Sequence, residues 1–342
     1  MNRVNKYSNR LRQTWTATLP DHCIGVSWSN DGQLVAAAAI SGPVNLIHAR
    51  SGAITATLPG HRFGTAAVAW QPNGSLLATA GQDGHARLWD ANGAEVAVLA
   101  GGSAWVERLA WSHDGAILAT AAGKKVRLWN TSGVMLREYA NHGSTVADLA
   151  WQPRTNVLTV AAYGGIAHYD ATQAEPIRRF EWKGSPLVIA WAPNGKMLAH
   201  GNQDATVHFW YIETGVDLHM SGYPTKVREL SWDYSGRFLA TGGGEAVCVW
   251  DCSGKGPEGT KPQMLEGHDK LIAAVAWQRR GFFIASAGLD GRVNLWQPAN
   301  KKDSHVGHDR ITDAEATVIA WSPDDNSLVV GDSTGGVRLF RV

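Results

Sequence analysis

Cysteine is nearly absent: Cys23, Cys248 and Cys252 are the only three in 342 residues. An odd, sparse set excludes a disulfide framework and points to a reducing compartment, read here as the cytoplasm. An excess of charge is also missing. Lys and Arg number 31 against 30 Asp and Glu, net +1, so no global field draws in nucleic acid or an anionic membrane, and neither is expected as a partner. No apolar run approaches membrane-spanning length, and the first twenty residues lack the continuous apolar stretch of a secretory signal. No phosphate-binding glycine loop and no CxxC pair occurs, and the thirteen histidines lack HxH or HExxH spacing. Catalytic residues, metal and cofactor are therefore not expected.

What abounds is tryptophan, sixteen in all. Eight of them, Trp28, Trp70, Trp111, Trp151, Trp191, Trp232, Trp277 and Trp321, are separated by 42, 41, 40, 40, 41, 45 and 44 residues. Eight occurrences at so regular a period mean eight copies of one structural unit. Each unit contains three runs. The first alternates apolar residues and ends in the Trp, as in AAVAW (66–70) and IAAVAW (272–277), the pattern of a half-buried strand. A turn follows, such as SNDG, QPNG or SHDG, with the glycine that hairpin turns favour. Trp151 and Trp321 are followed by QPRTN and SPDDN, so longer loops are expected there. The second run is small and apolar (LLATAG, FLATGGG), and the third resembles ARLWD (86–90) or VNLWQ (293–297). Variable segments between units suit a fourth, more exposed strand.

The two ends determine how the array closes. The last unit stops after its third strand, and one extra outer-strand segment, RQTWTATL (12–19), precedes the first unit. The amino-terminal segment can complete the last blade and remove the open sheet edges. The expected fold is all-β: a closed eight-bladed propeller of four-stranded antiparallel blades over residues 12–342, after a short tail of 1–11. Seven blades with one unit outside the ring is the alternative.

These units resemble the WD40 repeat family, whose signature pairs a Gly-His before the first strand with a Trp-Asp ending the third. Gly-His occurs at Gly60-His61, Gly267-His268 and Gly307-His308, and Trp-Asp at Trp89-Asp90 and Trp250-Asp251. The even repetition, with Trp at every first-strand end, looks like a bacterial member. The resemblance implies a hydrogen-bond network linking a loop His, a second-strand Ser or Thr, a turn Asp and the third-strand Trp. Complete sets are His61, Thr79, Asp83 and Trp89 in the second blade, and His268, Ser286, Asp290 and Trp296 in the seventh. A Ser-His-Asp set also invites a catalytic reading. Because it recurs with the repeat, and because a buried indole N–H needs a partner, a structural role is preferred.

The resemblance further implies that one face of the ring, at the mouth of the central channel, binds partners. Positions six and four residues before each strand-ending Trp supply Trp105 with Glu107 and Lys226 with Arg228 as two decorated sectors on an otherwise small or apolar mouth. Gln82, Gln203 and Leu289 join them from the turns between second and third strands. Trp105 is also one of three tryptophans outside the periodic positions, with Trp15 and Trp182, and an unscheduled aromatic is a good interface candidate. Three residues before the Trp, Arg108, Asp148 and Glu229 replace small or apolar side chains. A charge between blades needs a partner, so Arg108 and Asp148 are expected to pair. The least regular loops are 252–263 and 298–316. The function expected is a non-enzymatic scaffold for other proteins or peptides, monomeric alone. The alternative is a small ligand, metal or cofactor in the channel.

Overall fold

The computed structural model describes residues 10–139, 142–254, 256–299, 304–311 and 314–342. The chain forms eight four-stranded antiparallel sheets, and seven of them take their strands in simple sequence order. Blade 1 illustrates the unit: Cys23–Trp28 innermost, then Leu34–Ala39, Val44–His48 and, outermost, Ile54–Leu58. The eighth sheet closes the ring. Arg12–Thr18 pairs antiparallel with Gly336–Arg341, from Arg12 opposite Arg341 to Thr18 opposite Gly336. No unit is left outside the ring, so the seven-bladed alternative is excluded. No helix among the described residues is long and apolar enough to cross a membrane.

The recurrent Trp has a structural reason. Its indole N–H reaches back to the preceding blade and donates to the carbonyl just before that blade's own Trp. Trp111 donates to Ala69 (3.2 Å), Trp151 to Ala110 (3.0 Å), Trp232 to Ala190 (3.0 Å) and Trp321 to Ala276 (3.0 Å). Trp28 donates to Ala320 at 3.1 Å, which carries the same bond across the closure from blade 1 to blade 8. Trp191 departs from the rule and donates to Thr159 at 3.0 Å, and the buried indole N–H groups of Trp70 and Trp277 reach no acceptor.

Between blades lies the core. Ala36, Ala38, Val44, Leu46 and Leu58 of blade 1 pack on Trp70, Leu77 and Trp89 of blade 2. Small second-strand residues let neighbouring sheets approach, and the indoles fill the wider space. Backbones meet closely at Gly60, where φ is +68° and a β-carbon would lie 1.6 Å from the Gly42 carbonyl oxygen of the preceding blade.

Several local expectations need correction. The loops after Trp151 and Trp321 are no longer than those after Trp28 or Trp111. Arg154 (φ 63°) and Asp325 (φ 60°) adopt the left-handed conformation that Gly32 and Gly115 take elsewhere. Asp325 is held there by accepting the backbone N–H groups of Arg279 (2.7 Å) and Arg280 (2.7 Å). Gly307-His308 does not precede a first strand. It lies within His305–Arg310, the outer strand of blade 7, inside the segment 298–316 expected as loop. Parts of that segment (300–303, 312–313), residue 255 of the other loop, and residues 1–9 of the expected tail lie outside the described residues. Leu11, at the tail's end, is buried in the core with Phe340.

Candidate interaction site

Polar networks hold the loops that lead into the first strands. In blade 2, His61 Nδ1 faces Asp83 at 2.9 Å, His61 Nε2 faces the Thr79 hydroxyl at 2.8 Å, and the Trp89 N–H donates to that hydroxyl at 2.9 Å. In blade 7, His268 sits 3.1 Å from Asp290 and 2.8 Å from Ser286, which accepts from Trp296 at 2.8 Å. The pattern suits an Nδ1–H donated to the carboxylate and an Nε2 lone pair accepting the hydroxyl proton. Burial lowers the pKa of both histidines, with the facing Asp opposing that shift. His61, Thr79, His268 and Ser286 are buried, and each is bonded to its neighbours within the blade.

Trp105 ends the loop leading into the first strand of blade 3 (Val106–Trp111) and is 53% exposed. Glu107 lies within that strand and is half-buried. Lys226 and Arg228 are exposed in blade 6, whose first strand is shortened to Leu230–Trp232, so both precede the strand. The two sectors stand three blades apart on the same end of the ring. Turn residues are bonded to the leading loops there. The backbone N–H of Gln82 donates to Gly64 (2.9 Å), that of Gln203 to Ser185 (3.1 Å) and that of Leu289 to Leu271 (2.9 Å).

Two further aromatic side chains share this rim and were missed from the sequence. Phe63 (70% exposed) leads into blade 2, and Tyr163 (66% exposed) occupies the second-to-third-strand turn of blade 4. With Trp105 they place one exposed aromatic on each of three successive blades. Weighing every aromatic against the repeat, not tryptophan alone, finds them. Phe63 also takes φ +73°, a costly conformation for a bulky residue, of the kind that collects at functional sites. Beside Tyr163 a cavity of ≈ 1040 Å³ opens, lined by Tyr139, His142, Tyr169, Arg179 and Phe180 among others.

Arg108 Nε lies 4.0 Å from Asp148 Oδ1. Stronger bonds surround that contact. Arg108 Nε donates to the Ala147 carbonyl at 2.7 Å, and Asp148 accepts the backbone N–H groups of Leu149 and Ile189, each at 2.9 Å. Burial pushes the Asp148 carboxyl up to about 6, against the pull of those N–H groups and of Arg108. Glu229 is not part of this group. Its carboxylate accepts from the Arg228 backbone N–H at 3.3 Å, and burial pushes it up to about 7.

A family model described as WD domain, G-beta repeat matches residues 52–90, 93–130, 217–251 and 259–297, the repeats that end in the third strands of blades 2, 3, 6 and 7. Four of the eight units are thus WD40 repeats. Protein HIR1 of Mycosarcoma maydis is 24% identical over 176 residues, covering 45% of this chain and 17% of that protein. Meiotic fizzy-related protein 1 of Schizosaccharomyces pombe is 23% identical over 191 residues, covering 55% and 43%. Cell division cycle 20.1, cofactor of APC complex, of Arabidopsis thaliana is 26% identical over 196 residues, covering 54% and 42%. The chain thus spans less than half the length of these curated relatives. They are fungal and plant proteins, so the bacterial look of the repeats is not borne out. Among solved structures, the computationally designed Ika8 protein superposes with a TM-score of 0.82 at 20% identity, covering 98% of this chain and 100% of that one. That likeness shows the fold.

Proposed function

We propose that this propeller is a non-enzymatic interaction scaffold, an adaptor or assembly platform that holds other proteins or peptides at the channel mouth. The observation that carries the reading is the run of exposed aromatics, Phe63, Trp105 and Tyr163, on one rim of three successive blades. Aromatic anchors on a rigid frame concentrate binding energy at little entropic cost. Glu107, Lys226, Arg228, Gln82, Gln203 and Leu289 supply the polar and apolar surround that sets register and specificity. Relatives support an assembly role by their names: one is a cofactor of the APC complex, and a rice relative is a homolog of a chromatin assembly factor 1 subunit. The free, buried thiols of Cys23, Cys248 and Cys252 suit a reducing setting such as the cytoplasm, and the chain alone is expected to be a monomer.

The test is affinity purification from the native source with the wild-type chain and a Trp105→Ala plus Arg228→Ala double variant. Partners retained by the wild type should be lost from the variant, with its melting temperature unchanged. A folded double variant that keeps every partner removes this rim from consideration.

A further inference from the structure

We propose that blade 5 carries a site for a divalent transition-metal ion of the zinc class, formed by His208, His219 and Asp217. Antiparallel register sets His200 opposite His208 and His208 opposite His219, so three imidazoles form one row across three adjacent strands. Directly paired residues share a face of the sheet, and Asp217, two residues before His219, lies on that face too. Ring centres are 5.2 Å apart for His200 and His208 and 4.9 Å apart for His208 and His219. His208 Nδ1 lies 3.6 Å from Asp217 Oδ2. Two ligand atoms on a tetrahedral zinc with bonds of about 2.0 Å stand about 3.3 Å apart.

The second observation is independent of this spacing. His208 is only 1% exposed; its Nε2 has no hydrogen-bond partner, and its Nδ1 has only the Asp217 carboxylate, beyond hydrogen-bond distance at 3.6 Å. Buried polar atoms are nearly always bonded, so this buried imidazole calls for a missing group. Behind it, His200 Nδ1 faces the Asn202 side-chain oxygen at 2.9 Å, and its Nε2 is also open. Trp182 covers the row from the side, its ring centre 3.6 Å from that of His208. The same row in other blades reads Thr79–Arg87–Val98 or Ser286–Asn294–His308, and none but blade 5 has a ligating side chain at all three places.

Among the described residues no group of three or more His, Cys, Asp or Glu is arranged, as it stands, to hold a metal ion. His219 and Asp217 are exposed on the outer strand, where rotation about their side-chain bonds closes the set and solvent gives the ion a way in.

The test is isothermal titration of chelator-stripped full chain with zinc chloride, paired with the visible absorption of the cobalt(II) form. One site of micromolar affinity or tighter is expected, with a tetrahedral cobalt spectrum. His219→Ala and Asp217→Asn should each weaken binding at least about tenfold without moving the melting temperature of the metal-free protein. His305→Ala, in blade 7, should bind as the wild type does. No uptake by the wild type, undiminished binding in both blade 5 variants, or loss in the His305 variant overturns the proposal.

Discussion

The Trp250 indole N–H donates to the Tyr223 hydroxyl at 2.8 Å, and that hydroxyl lies 2.9 Å from the hydroxyl of Thr241. Blades 2 and 7 join the same loop, second strand and third-strand Trp through a histidine and a turn aspartate. Blade 6 has neither, and a phenol from the leading loop bridges both groups in their place. Blade 4 uses another variant, with the Tyr169 hydroxyl 3.1 Å from His142 Nε2. The loop is tied to the blade in each case, and the chemistry of the tie differs.

Replacing Tyr223 with Phe should therefore destabilise the fold by about 1–3 kcal/mol, because Trp250 is left with a buried, unpaired N–H. His61→Ala and Asp83→Ala in blade 2 should fall in the same range for the same reason. Urea unfolding measures it. Combined with Trp250→Phe, the Tyr223→Phe effect should shrink, since the orphaned donor is gone. Full additivity would mean that the bond carries no weight.

Arg108 and Asp148 separate two roles that an ion pair merges. The Arg108 side chain is 43% exposed against 21% for Asp148, and exposed pairs contribute little. Asp148→Ala strands two backbone N–H groups, Leu149 in its own blade and Ile189 in the next, and should cost about 2–4 kcal/mol. Arg108→Ala should cost under about 1 kcal/mol. Equal losses in the two variants would show that the ion pair, not the backbone clamp, holds the blades.

The repeat was legible because it carries a physical duty: each Trp at the first-strand end packs between blades, and most fasten one blade to the last. Closure was legible because an outer-strand segment stood in front of the first unit and was missing after the last. Pattern could not deliver what is equivalent in space but not in type. Tyr223 replaces a histidine, and Asp332 in blade 8 collects Thr334, the Gly336 N–H and Arg338, with no motif to announce either. Gly307-His308 misleads for the opposite reason: the dipeptide fits, but it lies in an outer strand. Counting tryptophan alone hid Phe63 and Tyr163. A search for HxH or HExxH spacing is blind to a row such as His200, His208 and His219, whose members meet through strand pairing.

Glu229 gives the clearest pH dependence. Its carboxyl ordinarily titrates near 4.5 and is pushed up to about 7 in the folded chain. A folded-state value above the unfolded one adds stability below pH 4.5 that is lost as pH rises through about 7. Glu229→Gln should thus match the wild type at pH 4 and exceed its stability at pH 8 by about 2–4 kcal/mol. Comparing the two chains at each pH cancels the buried histidines, which titrate in both. A wild type as stable as the variant at pH 8 would mean that Glu229 is charged there at no cost.

Ring closure makes the strongest prediction. Removing residues 1–19 strips the outer strand from blade 8 and bares the Gly336–Arg341 edge, with Val337 and Leu339 losing their cover. The deletion also removes Trp15, whose N–H donates to Ala49 of blade 1 at 2.7 Å, and the buried Leu19. An unpaired edge beside apolar side chains templates association. The truncated chain should melt at least about 10 °C lower and form oligomers by light scattering, and a synthetic peptide of residues 10–20 added in excess should restore the monomer. A truncated chain that stays monomeric and melts with the wild type would mean that blade 8 stands without its borrowed strand. The contacts between blades 1 and 8, among them the bonds from Trp28 to Ala320 and from Thr317 to Cys23, would then be carrying the closure.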